Sequence, residues 1–517
     1  MFNWLGGRSP AVVELVVKRA REVIAGLPDN DAVAAVHAIT QALMAVNHSE
    51  VLTLDECYDD IQRLDIALVA HTRTLLREYL SASRQKKQRE HDLWNGAYRC
   101  WSELAAGYAK CVRRYAADAR GAIGFRVNVP VACARALRAL RRQLQWMRIR
   151  YAAPPERLWT RLAEMYAFVD ADEADKALVI YAGEITTIKR EFLKALMQSA
   201  LSCEVLQPPG QDFATMVVSQ FAPQFILSEF SDAGCTHWFD LKQPQAPARM
   251  SRVPQPDGDV LYFGAGAAVE ALEQVIEDYE SIRELPLGLT PDDSADPVFI
   301  KAILDHVYQD WSGKTLARQH ERRKVNTRIT VVPGFKDIVR TLEFAVNDSL
   351  DFTNQPTAES WVVHDLSEGG YGAEIPALTG DWVEVGSLVG VQSEQSREWC
   401  VGVVRRLFRV QGNQQRVGIQ LLSRSASLVR MHRNGEPRQA PRLGLSQRMQ
   451  LDRAILLSAD AAHQPELEIL IRSGSFTNLE DVHMLAGTQH IVLQPKAVVE
   501  RSAACERVTF TVLSVES

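Results

Sequence analysis

Apolar residues recur at helical spacing through the first two hundred positions. Val13, Val16, Val17, Ala20, Ile24 and Leu27 share one face, with Gly26 and Pro28 closing the run. Asp29, Asn30 and Asp31 then offer caps for a helix that carries Val33, Val36, Leu43 and Val46. The stretch Leu54–Leu80 repeats the period through Ile61, Leu64, Leu68, Leu75 and Tyr79. Further periodic segments cover Arg84–Asp118, Cys133–Tyr151, Pro155–Phe168 and Asp175–Cys203. Trp94, Tyr98, Trp101 and Tyr108 fall on this pattern and are expected to fill a helix interface. So uniform a region predicts an all-α bundle or a solenoid of helical hairpins, and no repeat of fixed length chooses between them.

The pattern changes after about residue 205. His237–Leu241 and Val260–Phe263 predict strands, whereas Ala267–Ile282 and Pro297–Trp311 predict helices, which together make a small α/β connector. After Thr327, short strands with turn signals persist to the C-terminus, interrupted between about Arg424 and Arg448 by a stretch containing Pro, Arg and Gly. The predicted class is multidomain α+β. Its parts are an α-helical interaction domain over 1–205, a mixed α/β connector over 206–312, an antiparallel β-barrel over 313–430 and a C-terminal β-rich unit over 448–517.

Composition narrows the function classes. A chain of 517 residues has room for about three domains. A net charge of −6 argues against a general polyanion binder, so neither DNA nor RNA is an expected partner. The charge is uneven, however. Between Leu272 and Asp310 ten acidic residues face only Arg283 and Lys301, whereas Gly313–Thr341 holds eight Lys or Arg against Glu321 and Asp337. The eight cysteines are scattered without a CxxC pair or a nearby histidine at ligand spacing, and read as reduced, mostly buried thiols with no metal site. The opening MFNWLGGRSP has no basic region leading into an apolar run, and no segment approaches the ~18–20 apolar residues of a membrane span, so a cytoplasmic protein is expected.

Motif fragments of nucleotide enzymes fail on spacing. Gly313-Lys314-Thr315 ends like a phosphate-binding loop, but Tyr308 stands where its first glycine belongs. Gly264 and Gly266 follow a strand, but Val269 replaces the third glycine of a dinucleotide fingerprint, which leaves helix packing as their expected role. His37 and His71 sit among apolar residues at the edge of helical faces, and no HExxH or clustered carboxylate pair occurs. The chain is not expected to be an enzyme.

One constellation remains. ERRKVNTRITVVP places Arg322, Arg323, Lys324 and Arg328 at the start of a strand, and WVVHDLSEGGYGAEIP presents Asp365, Ser367, Gly369 and Gly370 at a turn between strands. The pair resembles the RxxxR arm and the [DN]xSxxG turn of PilZ domains. The resemblance continues through VEVGSLVGV, WCVGVVRRLF and RVGIQLLS, in the order of the closing strands of that barrel, and covers about 100 of the 517 residues. The best-placed arm match, Lys324 to Arg328, begins with Lys, and the other RxxxR, Arg318 to Arg322, lies further ahead of the strand. The 37 positions between Arg328 and Asp365 imply an insertion, within which Phe335–Asn347 has helical character.

The resemblance implies a receptor for cyclic di-GMP, with no other cofactor. Arg forks onto phosphate or onto the guanine O6 and N7 edge, a turn carboxylate accepts from guanine N1 and N2, Ser367 holds the turn or donates to the ligand, and glycine permits close approach. Binding at Arg322, Arg323, Lys324, Arg328, Asp365, Ser367, Gly369 and Gly370 is expected to order the arm and signal to a helical region that holds an unidentified protein partner. The alternative is a non-enzymatic scaffold or adaptor whose PilZ-like barrel ignores the nucleotide. Arg405, Arg406 and Arg409 are read as a solvated strand face. The strands from Leu451 to Val515 alternate well but bring no chemistry, as in a second barrel of similar type without the signature.

Overall fold

Side-chain caps set where the first helices begin. In the computed structural model, Asp31 accepts from the Ala34 amide at 3.0 Å and opens α2 (Ala32–His48), after the short α1 (Ala20–Ala25). Thr53 and Glu56 exchange hydrogen bonds with each other's amides at 3.3 and 3.1 Å, a reciprocal cap that starts α3 (Leu54–Ser81). The structure describes residues 20–516 except 82–86, 170–172, 174–175, 182, 253–258, 290–295, 314–320, 348–356, 377–381, 395, 397, 411–413, 434–451, 459–463, 476–480, 487–488 and 503. The predicted helical run at Val13–Val17, together with Lys314 and Arg318, therefore lies outside the described residues.

The chain divides into two compact units at Leu316 and Ala317. In the first, α4 (Lys87–Ala116), the short α5 (Ala122–Phe125), α6 (Val129–Ile149), α7 (Glu156–Ala167), α8 (Ile188–Ala200) and α9 (Pro208–Phe221) follow. Helix α6 packs against α4, α7, α8 and α9, and is buried nearly all round. That arrangement is a bundle, because a solenoid element touches only its neighbours along the chain. Trp101 and Tyr108 are buried in it, Trp94 stacks on Tyr98 with centroids 4.9 Å apart, and the Trp94 indole donates to the Trp146 carbonyl at 2.6 Å.

One stretch departs from expectation. Asp175–Cys203 is not a single helix: β1 (Val179–Tyr181) and β2 (Glu184–Thr186) form an antiparallel hairpin before α8. Val179, Ile180, Ile185 and Thr186 are β-branched, and Gly183 takes a φ of +86, which suits a turn and not a helix interior. The Tyr181 hydroxyl fastens the hairpin to buried Asp65, which also accepts from Tyr108 at 2.7 Å. Burial pushes the Asp65 carboxyl up, and the two hydroxyls oppose that shift. Burial likewise pushes Glu191 up, but Lys194 at 2.8 Å and Arg141 at 3.7 Å outweigh it and hold the carboxyl down to about 2.

The predicted strands and helices of the middle region are present. β3 (Ile226–Ser228), β4 (His237–Asp240), β5 (Ala248–Arg249) and β6 (Val260–Gly264) make an antiparallel sheet in the order β3-β6-β4-β5, accompanied by α10 (Ala268–Ile282) and α11 (Pro297–Trp311). A single apolar core runs from Ala20 to Trp311. Gly264 serves a loop instead of a helix: an added Cβ would stand 2.1 Å from the Gly234 carbonyl oxygen.

The second unit holds two closed barrels of six strands each. The first comprises β7 (Arg323–Pro333), β8 (Glu359–Ser367), β9 (Gly370–Pro376), β10 (Leu388–Ser393), β11 (Cys400–Val410) and β12 (Gln414–Ser423). The second comprises β13 (Ser427–Arg433), β14 (Asp452–Leu456), β15 (Glu466–Arg472), β16 (Val482–Ala486), β17 (Gln489–Arg501) and β18 (Cys505–Glu516). Helix α12 (Gly334–Asn347) fills the insertion between β7 and β8, where the sequence predicts one. Its Ile338, Val339 and Leu342 join Leu388 and Val401 of the first barrel and Ile455, Leu470 and Cys505 of the second in one core.

Candidate functional site

The turn between β8 and β9 is held by its own residues and by a neighbouring strand. Ser367 pairs with Gly370 across the hairpin, and its hydroxyl donates to the Gly370 carbonyl at 3.4 Å. The Leu421 amide donates to the Gly369 carbonyl at 2.9 Å. A Cβ on Gly370 would lie 1.9 Å from the Ile419 carbonyl oxygen, so this glycine admits the passage of β12. The β12 backbone thus approaches Gly370 more closely than any residue with a side chain would allow.

Asp365 owes its position to a bulge. Val363 pairs with Ala373 and Asp365 with Gly372, which leaves His364 as an extra residue in β8. The carboxylate then lies over β9, where a Cβ on Gly372 would come within 2.3 Å of it.

The arm enters opposite this turn. In the register of β7 with β8, Arg323 faces Leu366 and Lys324 faces Asp365. Just before the strand, the Arg322 guanidinium donates from Nη1 to Asp365 Oδ1 at 2.7 Å, with both side chains partly open to solvent. Arg323 and Lys324 are exposed. A bulge separates Lys324 from Thr327, and Arg328 pairs with Val362 and donates to the Ser360 hydroxyl at 3.4 Å. Three strand positions, about 10 Å, part Val362 from Asp365. Seven of the eight candidate residues therefore gather at one end of the hairpin, and Arg328 stands apart along the strand.

Sequence reasoning missed a further cation. The exposed Arg424, just past β12, donates to the Glu368 carbonyl inside the turn at 2.5 Å. It is brought there by the pairing of Gln420 with Gly370, 50 positions apart in the chain. Within the arginine run on β11, Arg406 is exposed, whereas Arg405 forks onto the Glu500 carboxylate of the second barrel and donates to Gln420 at 2.8 Å.

Arg322, Arg323, Lys324 and Arg424 thus lie near a turn that carries two carboxylates, Asp365 and the exposed Glu368. Such a set suits an anionic ligand that also carries a donor edge, since guanidinium groups fork onto phosphate while Asp365 accepts. A half-exposed pair like Arg322 with Asp365 holds by only about 0–1 kcal/mol, so a ligand can exchange it at little cost.

Two family models match the chain. Residues 341–427 match the one described as cyclic-di-GMP receptor FimW, middle PilZ domain, and residues 18–232 match cyclic-di-GMP receptor FimW, N-terminal domain. The resemblance to PilZ domains is thereby shown. The turn Asp365–Gly370 lies inside the PilZ match, whereas Arg322, Arg323, Lys324 and Arg328 precede it and Arg424 falls within it. No curated protein and no solved structure matches the chain. Among the described residues, no helix is long and apolar enough to cross a membrane.

Proposed function

The chain carries a PilZ domain and an N-terminal domain of the FimW receptor family, and from this premise we propose that it is a cytoplasmic, non-catalytic receptor for cyclic di-GMP. Arg322, Arg323 and Lys324, with Arg424, take the phosphates and the Hoogsteen edges of the guanines, and Asp365 accepts from guanine N1 and N2. Ser367, Gly369 and Gly370 keep the turn in shape. Arg328 belongs to the arm and meets only a ligand that extends along β7. Of the expected segments 1–205, 206–312, 313–430 and 448–517, the helical one holds a protein partner whose binding responds to the nucleotide, while the first two share one core and β13 (Ser427–Arg433) belongs with the last.

The observation that carries this reading is the contact of Arg322 with Asp365 at 2.7 Å, since it means that the arm reaches the turn. Isothermal titration of the full chain with cyclic di-GMP is expected to give saturable heat at micromolar or tighter affinity. Arg322→Ala, Arg323→Ala or Asp365→Ala is expected to remove it. Absence of heat with the intact protein would sink the receptor reading. It would favour the adaptor reading instead, in which the helical region still captures its partner without nucleotide.

A further inference from the structure

The sequence shows no histidine pair at ligand spacing, yet the C-terminal barrel brings three histidines from three adjacent strands together. His432 on β13 pairs directly with His483 on β16, and His490 on β17 pairs with Leu485, two positions further along β16. Side chains alternate across a strand, and Met431, Met484 and Ile491 point into the barrel core. His432, His483 and His490 therefore share its outer face. Their rings lie 5.0–5.9 Å apart between centroids, and one ring nitrogen from each lies within 4.8 Å of the others. Although it faces outward, His483 is only 8% exposed.

The three rings are partly to fully buried and stack on one another, so the cluster is an ordered feature of the barrel's outer face. Protonated together, His432 and His483 would set like charges directly across two strands, which destabilises a sheet. Kept neutral, each offers a nitrogen lone pair, and imidazole is a favoured ligand of zinc, copper and nickel. In a tetrahedral shell with metal–nitrogen bonds of about 2.0–2.1 Å, the ligand nitrogens stand about 3.4 Å apart, so the rings, now stacked at 19–39° to one another, must turn out of the stack to converge on one ion.

We propose that His432, His483 and His490 form a site for a divalent transition-metal ion of the zinc type. Three protein ligands leave a fourth position for water or another small ligand. Because β13, β16 and β17 each supply one ligand, the ion would tie the first strand of the barrel to its fourth and fifth. The site stands on the histidine geometry and does not depend on the nucleotide reading.

Untagged full-length protein, freed of metal by a chelator, is titrated with Co2+ and followed by visible absorption. The expected result is ligand-field bands of a low-coordinate site that saturate at one equivalent and are bleached by Zn2+. His483→Gln and His490→Gln, each checked for wild-type far-ultraviolet circular dichroism, are expected to weaken Co2+ binding by about 100-fold or more. As a second measure, Zn2+ is expected to raise the Tm of the wild type and leave that of both variants unchanged. A spectrum that stays that of hydrated Co2+, bands that persist at wild-type affinity in both variants, or an equal Zn2+ shift in all three proteins would overturn the site.

Discussion

The two barrels of the second unit share one topology and carry different chemistry. Ranked by chain order, each closes as first, second, third, sixth, fifth and fourth strand, with the first returning to the fourth. In the first barrel, the hairpin of the second and third strands bears Asp365, Ser367, Gly369 and Gly370, and the first strand begins with Arg323 and Lys324. The second barrel has neither feature, because the residues around Ser458 and Pro465 lack the DxSxxG order. Its polar cluster sits on its first, fourth and fifth strands instead. A closed barrel is stabilised by its apolar interior, so its turns and outer face are free to vary. The fold alone therefore assigns no function to either barrel.

The largest expected difference between them is in nucleotide binding. On the proposed role of Asp365 as acceptor of two guanine donors, at about 1.5–3 kcal/mol per hydrogen bond, Asp365→Ala should weaken cyclic di-GMP at least about 100-fold by calorimetry. Ser458→Ala, in the corresponding hairpin of the second barrel, should leave affinity unchanged. If both substitutions weaken it equally, the division of labour between the barrels is wrong.

Next in size is the shared core. Leu342→Ala in α12 opens a cavity bordered by both barrels and should cost about 2–5 kcal/mol. Chemical denaturation should show the loss as a single transition of the second unit; two transitions, one at its wild-type midpoint, would mean that the barrels are stable separately.

Glycine separates the barrels more finely. Gly370→Ala drives a methyl into the Ile419 carbonyl and should destabilise the unit by about 1–3 kcal/mol. Gly474→Ala, after β15, meets nothing within 4 Å but must hold a φ of +78, so its cost should be about 1 kcal/mol and purely conformational. Thermal unfolding that ranks the two the other way would show that β12 yields where the geometry says it cannot.

The smallest effect is expected at the bidentate contact between barrels. Glu500→Gln weakens the fork from Arg405, and because both groups are partly solvated the change should stay within about 1 kcal/mol and shrink further in high salt. A larger, salt-insensitive loss would mean that the pair is effectively buried.

How far the sequence alone carried depended on whether a feature was local. The signature turn could be read because Asp365, Ser367 and Gly370 lie within six positions, where turn chemistry dictates residue type. Helix α12 could be read because Phe335–Asn347 keeps one apolar face. The hairpin β1–β2 reads as helix in the sequence because a short run such as Val179–Tyr181 fits either period, and Gly183 carries the information that decides between them.

The sequence by itself thus determined most helices of the first unit, the strands of the second and the PilZ resemblance, since periodicity and turns are properties of neighbouring residues. Only the tertiary structure decided that Arg322 meets Asp365 and that Arg424 joins the turn. It alone gave the second barrel the topology of the first and brought His432, His483 and His490 together. Each of these depends on strand register, and register arises from hydrogen bonds between residues remote along the chain. No window of neighbouring residues contains it.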